Sequence, residues 1–336
     1  MRSSVNSIIG ARAVCALAVL LLSLAPLRAF SAPAADGAVL NRVKGAMQGL
    51  GGGFKDMEAI AEIIVSPPRG SGDQRRGRQV SMTAHLYLKM PDKVKFQVLN
   101  STFPLFNRWI FLQRGAEFAA YDPVSDRYVT TDFRRLTGRE PARMDTKFAM
   151  LGLLFDPKRY RFEMLGKSVR NGVGVYKIRM RLFKPEVLNP LTNLAYTDMY
   201  VDTTRLCPVH SESFDTANRL ATTGEFRDPV RTPAGWAPTH ITITDHEIDR
   251  VRSHHKVQHI IEKATGARAP EAKPRPASFP TDRRGALDVW IGWKGNVLYP
   301  AKMSAQAPDG GSTQWTYTNT KVNSGMPDSV FRLNGR

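Results

Sequence analysis

Over long stretches of the chain, apolar and polar residues alternate one for one. Within 81–88, Met82, Ala84, Leu86 and Leu88 fall on one side, and Ser81, Thr83, His85 and Tyr87 on the other. Lys89-Met90-Pro91-Asp92 supplies a turn, after which Val94, Phe96 and Val98 alternate with Lys93, Lys95 and Gln97. Tyr176, Ile178, Met180 and Leu182 repeat the pattern against Lys177, Arg179 and Arg181. A period of two predicts strands with one apolar and one wet face. Turn signals punctuate them: Tyr121-Asp122-Pro123, Asn171-Gly172, Asp202-Thr203 and Asp309-Gly310-Gly311. No helical pattern alternates with the strands, as a parallel sheet would require. The expectation is a mostly β chain folded as an antiparallel sheet.

Helical spacing occurs in two places. Val39, Leu40, Val43, Met47 and Leu50 predict a helix over 36–50, with Asp36 as cap and Gly51-Gly52-Gly53 as stop. In 146–155, Phe148, Leu151 and Phe155 follow helical spacing, while Met150, Leu153 and Leu154 make the segment apolar nearly all round. Such a helix must be covered. It reads either as ordinary core or as a lid over an apolar groove. Two stretches, about 66–79 and about 264–285, lack periodicity. The first is rich in Pro, Gly and Arg, the second in Pro, and both are expected to be inserted loops.

The amino-terminal 34 residues have a different logic. Arg2 and Arg12 lie in a polar start, an apolar stretch follows over 13–27, and small residues occupy 29–34 apart from Phe30. The apolar stretch is about 15 residues, short of the ~20 needed to span a bilayer. This is the three-part pattern of a secretory signal peptide, cleaved after Ser31 or Ala34. A single domain over 35–336 and a periplasmic location are then expected. Cys15 sits inside the apolar stretch with Arg12 close by, which does not suit a lipid-modified cysteine. Cys207 is left as the one thiol, a semi-buried packing residue with no disulfide partner. The formal charge of +18 falls to +15 once Arg2, Arg12 and Arg28 are removed. Because the basic residues are dispersed, an anionic membrane surface or acidic cargo fits this charge better than nucleic acid.

Catalytic patterns are weak. His240, His246, His254, His255 and His259 cluster, and His255 and His259 are four apart, a spacing that suits metal on a helix. No glutamate stands between them in the metalloprotease pattern, and Ile241, Ile243 and Ile248 suggest strands instead. A metal-dependent hydrolase is thus one reading, and exposed strand or loop histidines the plainer one. Asp245, Glu247 and Asp249 read as a solvated strand face. His210, Ser211 and Ser213 lack the spacing of a nucleophile elbow. The aromatic residues say more. Phe103, Phe106, Trp109 and Phe111 crowd together, so this run is either fully buried or lines a cavity. An apolar concave face can hold acyl chains at roughly 0.8 kcal/mol per buried methylene.

A series of short segments, in order, resembles the outer-membrane lipoprotein-sorting family, whose carrier fold is shared with the periplasmic regulator of the envelope-stress sigma factor. They begin with the first helix, Leu86-Tyr87-Leu88-Lys89-Met90-Pro91-Asp92-Lys93-Val94-Lys95-Phe96 and Tyr121-Asp122-Pro123. The helix from Phe148, Tyr160-Arg161-Phe162, Tyr200-Val201-Asp202-Thr203, Pro208-Val209 and Gly235-Trp236-Ala237-Pro238-Thr239-His240-Ile241 follow. The last is Asn319-Thr320-Lys321-Val322-Asn323-Ser324-Gly325-Met326-Pro327-Asp328-Ser329-Val330-Phe331. The resemblance implies an eleven-stranded, strongly curved sheet, a half-open β-barrel, with a few helices packed in its mouth as a lid. It implies a monomeric carrier rather than an enzyme, with no metal and no cofactor. Its cargo would be lipoprotein acyl chains or free lipid, passed from a membrane-bound donor to an acceptor. Phe96, Phe106, Trp109, Phe111, Phe118, Phe148, Leu151 and Leu154 would line the cavity. A lipid- or protein-sensing regulatory module on the same fold is the alternative. Met90 stands where the best-known carriers have a lid-tethering arginine, and the chain ends soon after Phe331-Arg332-Leu333, where those carriers continue.

Overall fold

The structure is a computed structural model, and it describes residues 34–51, 53–66, 79–132, 134–135, 160–183, 194–233, 235–246, 285–307 and 310–332. Helix α1 spans Ala34–Gly51. The strands are β1 (Asp56–Ser66), β2 (Val80–Lys89), β3 (Lys93–Ser101), β4 (Ile110–Arg114), β5 (Glu117–Asp122), β6 (Arg127–Asp132), β7 (Tyr160–Arg170) and β8 (Val173–Leu182). They continue with β9 (Leu194–Asp202), β10 (Pro208–Asp215), β11 (Leu220–Thr232), β12 (Gly235–Asp245), β13 (Gly285–Lys294), β14 (Val297–Gln306) and β15 (Ser312–Val322). A 3-10 turn, Pro104–Phe106, precedes β4, and another, Asp328–Phe331, follows β15.

All fifteen strands form one sheet in the order β6-β5-β4-β3-β2-β1-β15-β14-β13-β12-β11-β10-β9-β8-β7. Every pairing is antiparallel. The chain lays β1 to β6 outward in one direction, restarts at the opposite edge with β7, and returns strand by strand until β15 pairs β1. The expected antiparallel sheet is therefore present, but with fifteen strands among the described residues rather than eleven.

The sheet is strongly curved and unclosed. Lys44 of α1 reaches Phe162 on β7, and a methyl placed at Gly53 would stand 3.5 Å from Val297 on β14. On a flat sheet those two strands, seven spacings apart in the order above, would be separated by about 34 Å. Only about 14 Å of helix separates Lys44 from Gly53. Side chains could make up that difference only if all were extended in one line along the sheet, and the cluster they form with α1 instead places the sheet curled around the helix.

The concave face carries the core. Met57, Ala59, Ala61 and Ile63 point inward from β1, joined by Ala84, Leu86 and Leu88 from β2 and by Val94, Phe96 and Val98 from β3, all buried. From the other arm come Ile178, Met180, Met199, Ile241 and Val289. Val43, Met47 and Leu50 of α1 belong to the same cluster, which follows from their three- and four-residue spacing. The predicted helix over 36–50 is thus present and slightly longer. The segments 146–155 and 264–284, with the histidines at 254, 255 and 259, lie outside the described residues, as does most of 66–79.

A second, smaller cluster covers the convex face of β4 and β5. There Leu112 and Ala119 are buried against Met326 and Phe331 of the segment that follows β15. That segment is tied down by Asp56, whose carboxylate accepts hydrogen bonds from the Ser324 amide (2.7 Å) and hydroxyl (3.0 Å). Lys89 Nζ donates to the Met326 carbonyl (2.6 Å), and Lys89 and Lys93 both pair with Asp328.

Candidate functional site

Inward alternation on β3, β4 and β5 brings Phe96, Phe111 and Phe118 together, and the segment between β3 and β4 adds Phe106 and Trp109, five of the expected cavity residues. Phe96 and Phe111 are register partners with ring centroids 6.2 Å apart, and Trp109 stacks on Phe111 at 5.7 Å. Phe106 sits on the 3-10 turn and Phe103 at its N-cap, with ring centroids 5.4 Å apart. Phe96, Phe106 and Phe111 are buried, whereas Phe103, Trp109 and Phe118 are half-buried and pack on the same cluster. Aromatic apolar area therefore remains open beside a filled wall. Phe148, Leu151 and Leu154 lie outside the described residues. Met90 packs its thioether against this core.

Several residues of the wall were not singled out from the sequence as site residues. Tyr160, Phe162 and Met164 of β7, and Tyr176, Ile178 and Met180 of β8, belong to the same inner cluster as the buried face of α1. Their alternation was visible, but nothing in it tells which strands end up opposite the helix. One rung of this arm is polar: Thr197 of β9 and Ser213 of β10, both buried, share a hydrogen bond between their hydroxyls.

The convex face holds the charge. Asp198, with its side chain 1% exposed, is gripped by Arg179 through both carboxylate oxygens (2.6 and 2.9 Å) and by Lys177 (3.0 Å). Tyr200 donates to Glu212 (2.8 Å) and lies beneath Lys177 and Arg170. His210, buried, bridges Glu225 (2.7 Å) and Glu212 (3.3 Å). Hydrogen bonding to His210 above all holds the Glu212 carboxyl down at about 2, against burial, which works the other way. Burial above all, with the Asp198 charge beside it, keeps the Glu163 carboxyl above its ordinary range, despite Arg179 and Arg181. On the other arm His85 bridges Tyr87 (2.9 Å) and Glu58 (2.9 Å), and Lys321 completes the Glu58 pairing.

The described histidines of the cluster are structural. His240 bonds Asp288 (3.1 Å) and stacks on Trp290 at 4.9 Å, and His246 bonds the Thr223 hydroxyl (2.9 Å). Both are half-buried and engaged, rather than exposed. Among the described residues no group of three or more His, Cys, Asp or Glu is arranged to hold a metal. Cys207 is more deeply buried than expected, and burial pushes its thiol up to about 12. A groove of about 230 Å³ opens beside Glu62, Ile64, Ser81, Thr83, Asn100 and Thr102. None of the expected aromatic residues lines it. No described helix is long and apolar enough to cross a membrane.

No family model and no curated protein matches the chain. Solved structures do show similarity. A DUF1329 family protein from Desulfovibrio piger is 12% identical, with 88% of this chain and 96% of that one aligned and a TM-score of 0.44. A LolA superfamily protein from Nitrosomonas europaea is 10% identical over 87% of this chain and 97% of that one, also with a TM-score of 0.44. MucB, solved in complex with MucA from Pseudomonas aeruginosa, is 11% identical over 89% of this chain and 97% of that one, with a TM-score of 0.19.

Proposed function

We propose that the protein is a periplasmic carrier that holds acyl chains, of a lipoprotein or of free lipid, against the concave face of its sheet. The observation that carries this reading is the apolar lining of that face, continued by the half-buried rings of Trp109, Phe103 and Phe118. A contiguous aromatic patch left half-open beside a closed core is the kind of surface that takes an apolar partner. Each methylene moved from water onto such a wall gains roughly 0.8 kcal/mol. A saturated chain is therefore retained without any polar chemistry, and it is released to an acceptor that buries it better. The signal-like first 34 residues and the dispersed positive charge support an envelope location and contact with anionic membranes.

The test is direct. Protein purified from its host in mild conditions should carry acyl-bearing ligand detectable by mass spectrometry of the extract. Trp109→Ala should lower the recovered amount several-fold while leaving the circular dichroism spectrum intact. Repeated recovery without any acyl ligand would end the carrier reading.

A further inference from the structure

Cations scattered through the sequence are gathered by the fold. Neighbouring strands are antiparallel throughout, so the sheet has two rims. One rim holds the seam where β1 begins and β15 ends, and the hairpins β13–β14, β11–β12 and β9–β10 beside it. Successive hairpins stand two strands apart, about 10 Å. Each presents an exposed cation: Lys55 and Lys321 at the seam, then Lys294, Arg231 and Arg205. Lys321 pairs with Glu58, and Arg205 lies over the Trp236 ring (5.3 Å) with Asp202 at 3.4 Å. The carboxylates at the level of the rim are withdrawn from its surface. Asp202 is buried and accepts from the Thr204 and Arg205 amides, and Asp56 is buried and committed to Ser324. Asp228, which is exposed, is set back along β11. The opposite rim is balanced. Besides Arg108, its described turns hold Asp122 and Asp126 beside Arg127, and Asp215 paired with Arg219 at 2.7 Å.

The cationic rim also carries Trp293. β13 and β14 stay paired to their last residues, Trp293 with Leu298 and Lys294 with Val297, so the tip is a tight turn through Gly295 (φ +59°) and Asn296. Leu298 is buried, whereas the indole is 48% exposed and has the Lys294 ammonium next to it in sequence. An indole has an apolar body and one N–H donor, which suits the headgroup layer of a bilayer. Cations strung along a line, rather than set around a pocket, suit a continuous field of negative charge better than a single anion. We propose that this rim docks the protein on an anionic lipid bilayer, with Trp293 seated among the headgroups. The docking rests on the membrane contact in the carrier reading, and it names the face that makes that contact.

The protein is sedimented with protein-free vesicles of equal parts phosphatidylglycerol and phosphatidylcholine, and with vesicles of phosphatidylcholine alone. It should sediment with the first and stay in solution with the second, and added salt should release it. Arg231→Gln with Lys294→Gln should weaken binding about 25-fold, or about fivefold for each cation. Arg127→Gln with Arg219→Gln removes the same charge from the opposite rim and should leave binding unchanged. Trp293→Ala should weaken binding several-fold and abolish the blue shift of tryptophan emission on docking. Binding that ignores phosphatidylglycerol, equal losses from the two double variants, or an unaltered blue shift in Trp293→Ala overturns the docking rim. The carrier reading is tested separately, by mass spectrometry of lipid left on the protein once the vesicles are removed. Sedimentation without such lipid overturns the carrier and leaves the rim, whereas lipid uptake with equal losses from both double variants overturns the rim and leaves the carrier.

Discussion

Phe331 closes the back of the aromatic wall, and its removal should be felt on both sides of the sheet. The ring is 1% exposed and sits with Met326 on Leu112 and Ala119. Those two residues are on β4 and β5, whose opposite faces carry Phe111 and Phe118. Phe331→Ala therefore leaves a hole backed by hydrogen-bonded strands that cannot collapse into it. Cavities of this kind destabilise by about 3–5 kcal/mol. The strap is held independently by Asp56 and Lys89, so the lower figure, about 3 kcal/mol, is expected here. In urea unfolding followed by tryptophan fluorescence, this reads as a lower midpoint at unchanged slope. It also lowers the thermal midpoint by about 6–12 °C. Asp328→Asn is the control. Its carboxylate pairs with Lys89 and Lys93 but is 61% exposed, so solvent screens the pairing and the change should leave the urea midpoint almost unmoved. If Phe331→Ala were no more harmful than Asp328→Asn, the strap would not be part of the folded wall and the argument would fail.

Other outcomes follow from the convex face. Asp198→Asn leaves Arg179 and Lys177 facing a neutral amide in a buried position, and should cost about 3–5 kcal/mol by the same urea assay. Glu212 titrates at about 2 in the fold against an ordinary 4.5. Its stabilising effect is complete above about pH 4.5 and is lost as pH falls towards 2. Glu212→Gln should therefore flatten the loss of stability over that window, measured as urea midpoint against pH. Cys207, with its thiol pushed up to about 12, should resist iodoacetamide at pH 8 in the native protein and react once the protein is unfolded.

The strands that alternate cleanly could be read from the sequence. β2 and β8 are where Met82 to Leu88 and Tyr176 to Leu182 place them, because each buries one face only. β1 could not be read this way. Ala59 and Ala61 point inward, but Ile60 and Ile64 on the other face are apolar too, which hides the period. The aromatic run was legible as a cluster, but not the 3-10 turn that Pro104 starts between Phe103 and Phe106. Leu112, next to that run in sequence, faces outward beneath Met326 and Phe331. The ion networks were wholly hidden. Glu58 with His85 and Asp198 with Arg179 meet only through cross-strand register, and no local pattern encodes that.

The place where β1 meets β15 has a further consequence. Met57 faces Val322 in the middle of the sheet, so the seam joins the two most distant strands of the chain. A ribosome or translocon delivers β1 early and β15 late. In the interval β1 can pair only with β2, and its other flank is an unclaimed template for stray strands. Closing so long a loop also slows folding. Nascent chains of this protein should therefore be most vulnerable to aggregation just before residues 312–322 emerge, and a chaperone that shields one strand edge should be enough to protect them.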